Sequence, residues 1–241
     1  MRAGRKRSSV FTGALLVLAI AALLFGGIGS ARAALTPSDE YIADIGTQDI
    51  ALVLNENGKE VGEEDALLAD LLGDDESVKV GKVYDEKLTV SNTGTIDQYV
   101  RVSVYRYWTK DGEEAKHTEL TPDLINVEFN LGDGWVKDDA ASTPERTVLY
   151  YTKKLEAGKN NETTPFITGL GVDKKLSNMV SQTPPDENGV IKTTFKYNGY
   201  EFNLEASVDG VQDHHAEEAA KSAWGVGVTV DEEAGTLSLG E

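Results

Sequence analysis

The chain contains no cysteine. That excludes disulfides, thiol nucleophiles and thiolate metal sites. Histidine is scarce, with three residues: His117, His214 and His215. No His-Glu-x-x-His places two imidazoles one helical turn apart around a glutamate base. No Gly-x-Ser-x-Gly elbow accompanies the serines, and no pair of carboxylates stands out for glycoside hydrolysis. Basic charge is also short, at 23 Lys and Arg against 41 Asp and Glu. Such a chain does not hold nucleic acid or an anionic membrane through its average field. The reading is therefore non-enzymatic, with no catalytic residue, no metal site and no cofactor.

The one long apolar run lies at the start. Arg2, Arg5, Lys6 and Arg7 precede the apolar Leu15 to Phe25, and Ala31-Arg32-Ala33 then offers small residues at the positions a signal peptidase reads. That is the layout of a cleavable secretory signal over residues 1–33, cut between Ala33 and Ala34. No twin-arginine pair is present, so the general export route is expected. The run from Val10 to Ile28 comes close to the ~20 residues of a spanning helix, but Gly13, Gly26, Gly27 and Gly29 weaken its ends. Contact with a membrane is expected only through this leader before cleavage. Its removal leaves 18 basic against 41 acidic residues, a net charge of −23. The remaining 34–241, about 208 residues, can bury roughly 70% of their unfolded surface in one domain. The C-terminal GTLSLGE carries no Leu-Pro-x-Thr-Gly sorting signal, so a secreted product without an anchor is expected.

Strand patterns dominate the rest of the chain. Ile50, Leu52 and Leu54 alternate before the turn signal NENG at 55–58. Val78, Val80 and Val83 lead to Leu88 and Val90. In SNTGTIDQYVRVSVYRYW, Val100, Val102, Val104 and Trp108 fall on one side. Tyr99, Arg101, Ser103, Tyr105 and Tyr107 fall on the other. Ile125, Val127 and Phe129 alternate, and TVLYYTKKL at 147–155 is β-branched and aromatic. Asn198-Gly199 sits between two alternating runs, Ile191 to Tyr197 and Tyr200 to Ala206, and predicts a hairpin. Val226, Val228 and Val230 form the last run.

Two helices are expected. EEDALLADLLG puts Leu67, Leu68, Leu71 and Leu72 on one face, with acids in the first turn and Gly73 at the end. DHHAEEAAKSAWG sets Ala216, Ala219, Ala220 and Ala223 on one face, a Glu217–Lys221 pair, and Gly225 as the stop. The fold class expected is mainly β: a single antiparallel β-sandwich with two or more short flanking helices.

Other residues have a bland and a functional reading side by side. His214-His215 beside Asp213 and Glu217 read as solvent-facing residues at a helix start or as metal ligands. The acidic runs 63–65, 74–76 and Asp138-Asp139 read as solvated charge, since none has EF-hand spacing. Asn161-Glu162-Thr163 matches a glycosylation sequon. Tyr99, Arg101, Tyr105 and Tyr107 form a candidate binding face for a glycan or a host protein, or pair with a neighbouring strand such as that of Tyr150 and Tyr151.

The mature chain opens with ALTPSDEYIADIGTQDIALVLNENG and continues with SNTGTIDQYVRVSVYRYW, ERTVLYYTKKLEAG and EASVDGVQDHHAEEAAKSAWGVGV. This succession resembles the exported TasA and camelysin family of Gram-positive bacteria, whose leaders are processed by the signal peptidase SipW. The tripeptide NTG at 92–94 with YVRV at 99–102 carries most of the likeness. The resemblance implies a jelly-roll-like sandwich and a secreted, extracellular or cell-surface location. It also implies a structural role in the fibres of a biofilm matrix, by self-association or with a related matrix protein. Family fibres grow by donor-strand exchange. The matching segment here is 34–54, with Ile42, Ile45, Ile50 and Leu52 as candidate contacts. A head-to-tail contact that does not close gives a filament. The rival readings are a monomeric binding module and a camelysin-like metallopeptidase using His117, His214 and His215.

Overall fold

Asn57 and Gly58, with φ of 50° and 80°, connect Leu52–Glu56 (β1) to Lys59–Glu60 (β2) by a two-residue turn. Positive φ at both positions gives the primed turn whose twist matches the flanking strands. The Asn57 side chain then ties this hairpin to the next strand. Its amide donates to Glu86 (3.1 Å), and its oxygen accepts from the Lys87 backbone N–H (3.0 Å).

The structure is a computed structural model. It describes residues 49–62, 67–69, 71–72, 77–110, 113, 115–158, 161–185 and 187–240, all within the compact unit 47–241. The leader, its cleavage residues Ala31, Ala33 and Ala34, and the candidate contacts Ile42 and Ile45 lie outside the described residues. Among the described residues no helix is long and apolar enough to cross a membrane.

The remaining strands are Val83–Asn92 (β3), Gln98–Lys110 (β4), Ile125–Phe129 (β5), Trp135–Asp138 (β6), Arg146–Tyr151 (β7), Ile167–Val172 (β8), Val180–Gln182 (β9), Thr193–Phe195 (β10), Tyr200–Gln212 (β11), Val228–Asp231 (β12) and Thr236–Leu239 (β13). They form a five-stranded sheet ordered β2-β1-β3-β8-β5 and a four-stranded sheet ordered β11-β4-β7-β6. Two separate hairpins, β9–β10 and β12–β13, complete the set. All pairings are antiparallel. The fold is therefore mainly β with several antiparallel sheets, as the alternating runs suggest.

One buried cluster takes side chains from both larger sheets. Leu88, Val90, Ile167 and Leu170 come from the first, and Val100, Val102, Val104 and Leu149 from the second. Trp135 is 2% exposed and packs on Tyr151 and Phe166, at ring distances of 5.0 and 5.4 Å. Its indole N–H donates to the Thr164 carbonyl at 2.8 Å, so the polar atom carried inside is satisfied.

The outer face of the second sheet carries α1, Ala216–Trp224. Ala216 and Ala220 are buried among Tyr99, Val148, Tyr150 and Val211. Ala223, expected on that face, is exposed. Trp224 takes the place, its ring 5.4 Å from that of Tyr150. An indole fills the gap between helix and sheet that a methyl group leaves open. Gly225, at φ 71°, ends the helix as expected. Glu217 turns to the backbone N–H of Val230, at 2.9 Å.

Three expectations are corrected. The helix over 63–73 does not form in its described part: residues 67–69 are a turn, 71–72 a bend, and Leu68 holds φ of 68°. Its leucines pack against the core instead, and the Glu56 carboxylate accepts from the Leu68 N–H at 2.7 Å. One α-helix therefore flanks the sheets among the described residues, not two or more; Pro122–Leu124 and Lys174–Asn178 are short 3-10 turns. The hairpin at Asn198-Gly199 does not form either. Thr193–Phe195 pairs back to Val180–Gln182, and Tyr200–Gln212 runs along β4 for thirteen residues. A long partner offers more ladder bonds and more covered surface than a short hairpin can. Val78 and Val80 precede β3 rather than belonging to it.

Candidate functional site

Both β4 and β11 are thirteen residues long and paired throughout. On its other side β4 meets β7, whereas β11 ends the sheet order. In the first sheet β1 is covered on its outer side only by the two residues of β2, opposite Asn55 and Glu56. At one end these two strands nearly touch. A Cβ on Gly210 of β11 would lie 2.7 Å from Cδ1 of Leu52 in β1. Away from that end the space between them is a groove of about 1130 Å³. Leu52 and Leu54 line it from β1, and Phe202, Leu204, Ala206 and Val208 from β11. Leucines of 67–68 and 71–72 add to its wall. Trp108 lies against it, edge-on to Tyr197 (4.9 Å) and Phe202 (6.4 Å). This is apolar space beside strands with unpaired backbone edges, the arrangement that accepts an added strand.

The chain enters β1 through a clamp. The N–H groups of Thr93 and Gly94 both donate to the Ala51 carbonyl, at 3.0 and 3.1 Å. Thr95 N–H donates to the Asp49 carbonyl at 3.0 Å, and Asp49 N–H returns a bond to Thr95 Oγ1 at 2.8 Å. A Cβ on Gly94 would stand 2.3 Å from the Asp49 carbonyl oxygen, so only glycine permits this approach. Asn92, fully buried, holds the turn from below. Its oxygen accepts from Gly94 N–H (3.0 Å) and from Gln98 Nε2 (2.7 Å). Its amide donates to the carbonyls of Ile96 (2.8 Å) and Leu155 (3.0 Å). The NTG tripeptide thus grips residues 49–51, where the N-terminal segment leaves the described unit. Asp97 supports the same corner. Its carboxyl lies below the usual range because the Ala157 N–H and the Lys154 ammonium both donate to it.

The candidate donor contacts divide. Leu52 packs toward the core from β1, while Ile50, just after Asp49, is 48% exposed. The candidate binding face divides too. Tyr99 is buried beneath α1, and burial pushes its phenol upward in pKa. It is therefore no part of a surface, because α1 covers that end of β4. Arg101 is tied to Asp209 at 2.9 Å and lies over the Trp224 ring. Tyr105 and Tyr107 are half-buried, with the Lys116 ammonium 5.6 and 3.9 Å from their ring centres. The Tyr107 hydroxyl donates to Glu205. Burial, together with that carboxylate, raises its pKa to about 12. A second space of about 280 Å³ lies beside Tyr107, Lys116 and His117.

His117 contacts Glu119 at 2.8 Å and Glu113 at 3.5 Å, and the Glu119 contact raises its pKa. His214 and His215 stack on each other at 4.1 Å, and His215 sits in the left-handed region before α1. Among the described residues no group of three or more His, Cys, Asp or Glu could hold a metal ion. The acidic runs 63–65 and 74–76 lie outside the described residues. Asp138 caps the Ala141 N–H (2.9 Å), and Asp139 pairs with Lys137 (2.8 Å). Glu162 of the sequon lies in the same corner, accepting from Asn55 and Thr89.

The groove is the feature that sequence reasoning missed. Its β11 wall, Phe202 to Val208, is legible as alternation, but the Asn-Gly signal beside it points to a hairpin. Comparison with family models, with curated proteins and with solved structures finds no match.

Proposed function

We propose that the chain is a secreted, non-enzymatic structural subunit of an extracellular matrix. It assembles by laying the N-terminal segment of one copy into the groove of the next. The two larger sheets are read as the layers of a jelly-roll-like sandwich left open along one seam. The observation that carries this proposal is the groove between the edges of β1 and β11. Its length suits the occupant. Thirteen residues of β11 run about 44 Å, and the fifteen residues 34–48 extend to about 50 Å. Tyr41, Ile42 and Ile45 supply apolar side chains for the walls. The clamp on residues 49–51 supports the same reading, because it anchors the root of the segment while residues 34–48 reach outward. A leader still attached at Ala33 would encumber the free end, so cleavage would control assembly.

The test compares residues 34–241 with residues 49–241 by sedimentation and electron microscopy over days. The shorter chain keeps the clamp and is expected to stay a folded monomer while the longer one forms filaments. Filaments from the shorter chain would end the proposal. A net charge of −23 after leader removal makes copies repel over about 8 Å at physiological salt. Acid, salt or divalent cations are therefore expected to speed assembly.

A second reading is supported by Tyr105 and Tyr107 under Lys116, beside the smaller space. It makes the chain a monomeric binding module with an aromatic surface. It expects no filaments under any condition, and tighter glycan or protein binding by the native chain than by Tyr107→Ala.

A further inference from the structure

Nine large apolar side chains stand exposed on the described surface, and five of them fall in one place. Met179, Val180, Val190, Ile191 and Phe195 all belong to the β9–β10 hairpin and its loop. Val180 and Phe195 are direct register partners, so their side chains share one face. Phe195 is 55% exposed there. The ladder continues outward through bonds between Thr183 and Lys192, so the hairpin is an ordered ribbon rather than a loose loop. Isolated surface apolar residues need no explanation, but a cluster of this kind marks a contact surface.

The ribbon also differs in charge from the rest. Residues 174–196 hold Lys174, Lys175, Lys192 and Lys196 against Asp186 and Glu187, in a chain of net charge −18. Its two feet, Leu176 and Tyr197, line the large groove, so the arm rises at the mouth of the proposed acceptor site.

Two surfaces could attract a basic, apolar ribbon: an anionic bilayer or an acidic protein. The loop between the strands decides against the first. It carries Pro184, Pro185 and Glu187, whereas a ribbon that enters a bilayer presents apolar residues and cations at its tip. The chain itself, with its excess of carboxylates, supplies an acidic surface.

We propose that the β9–β10 arm packs on the acidic surface of an adjoining copy, as a second contact beside the inserted strand. The choice of partner rests on the self-assembly reading of the groove. A two-stranded ribbon is too small to reach the roughly 1,000 Å² of a stable interface alone. It acts once the strand has brought the copies together, when its effective concentration is high. Phe195, Val180 and Ile191 supply apolar contact, and the lysines meet carboxylates around it.

The experiment uses residues 34–241 carrying Phe195→benzoylphenylalanine, assembled from equal parts ¹⁴N and ¹⁵N chain and irradiated. Mixed-isotope adducts at position 195 are the expected result. Lys192→Glu with Lys196→Glu should slow filament growth about tenfold at low salt, since charges at a contact rim act mainly on association rate. The difference should fade near 1 M salt, where the screening length is about 3 Å. Filaments that carry adducts only within one copy would overturn the arm and leave the groove intact. A chain that never assembles would overturn both. Adducts to phosphatidylglycerol vesicles in place of a second copy would overturn the arm in favour of a membrane.

Discussion

Two strands of equal length lie side by side in the second sheet and have opposite fates. Eight of the thirteen residues of β4 are buried, against two in β11. The pairing is continuous, and both strands alternate apolar with polar residues along much of their length. What separates them is position. The central strand is covered by β7 beside it, the core below and α1 above, whereas β11 has one free edge and a groove alongside. A strand closed on all sides serves stability. A strand left open must be managed or used, because its unpaired backbone is a template for another chain.

The largest effect should come from one charge placed in each strand. Val102→Asp puts a carboxylate in the fully buried face of β4 and is expected to abolish folding, since an unpaired buried charge costs several kcal/mol. Phe202→Asp in β11 reaches the groove and its solvent. Circular dichroism is expected to show a folded chain, a few degrees less stable, that has lost filament growth. Equal damage to both variants would dissolve the distinction between closed and open strands.

A smaller effect separates the clamp from the core. Gly94→Ala forces the Asp49 carbonyl away and breaks the bonds that hold residues 49–51. The expected loss is about 1–2 kcal/mol, from hydrogen bonds without partners. Limited proteolysis should then cut near residues 47–52 before anywhere else. Unchanged protection there would show that the segment is held by something other than this turn.

The smallest effects are in pH, and the two ends of β4 should differ in sign. Asp97, before β4, has its pKa lowered by the Ala157 N–H and by Lys154. Its contribution is present above the ordinary carboxylate pKa near 3.9 and is lost as pH falls through the lowered value. His117, hydrogen-bonded to Trp108 beyond the other end, has its pKa raised by Glu119. Its contribution is complete below about 6.5 and is lost as pH rises through the raised value. Melting temperatures of Asp97→Asn and His117→Gln across pH 3 to 9 test this. Asp97→Asn should matter at neutral pH and cease to matter in strong acid. His117→Gln should matter in mild acid and cease to matter in base.

The strands of highest alternation were legible residue by residue. The valine side of β4 faces the core as its period demands, and the Asn57-Gly58 turn is set by its two residues alone. The clamp was visible only as a tripeptide, because its meaning lies in the approach of Asp49, more than forty residues earlier in the chain. The groove was not visible at all. Its walls come from β1 and β11, about 150 residues apart in sequence, and the local signal at Asn198-Gly199 pointed to a different pairing.

The sequence by itself determined the class of the protein: an acidic, cysteine-free, β-rich chain whose alternating side chains choose their faces by period two. Local chemistry suffices there, since turns and strand faces depend on neighbours within a few residues. Only the tertiary structure decided which strand is enclosed and which lies open. It also decided that the leucines of 67–72 turn toward the core rather than form a helix, and that Tyr99 is covered while Phe195 is not. Those outcomes depend on which distant segments compete for the same partner, and the longest ladder with the most buried surface prevails.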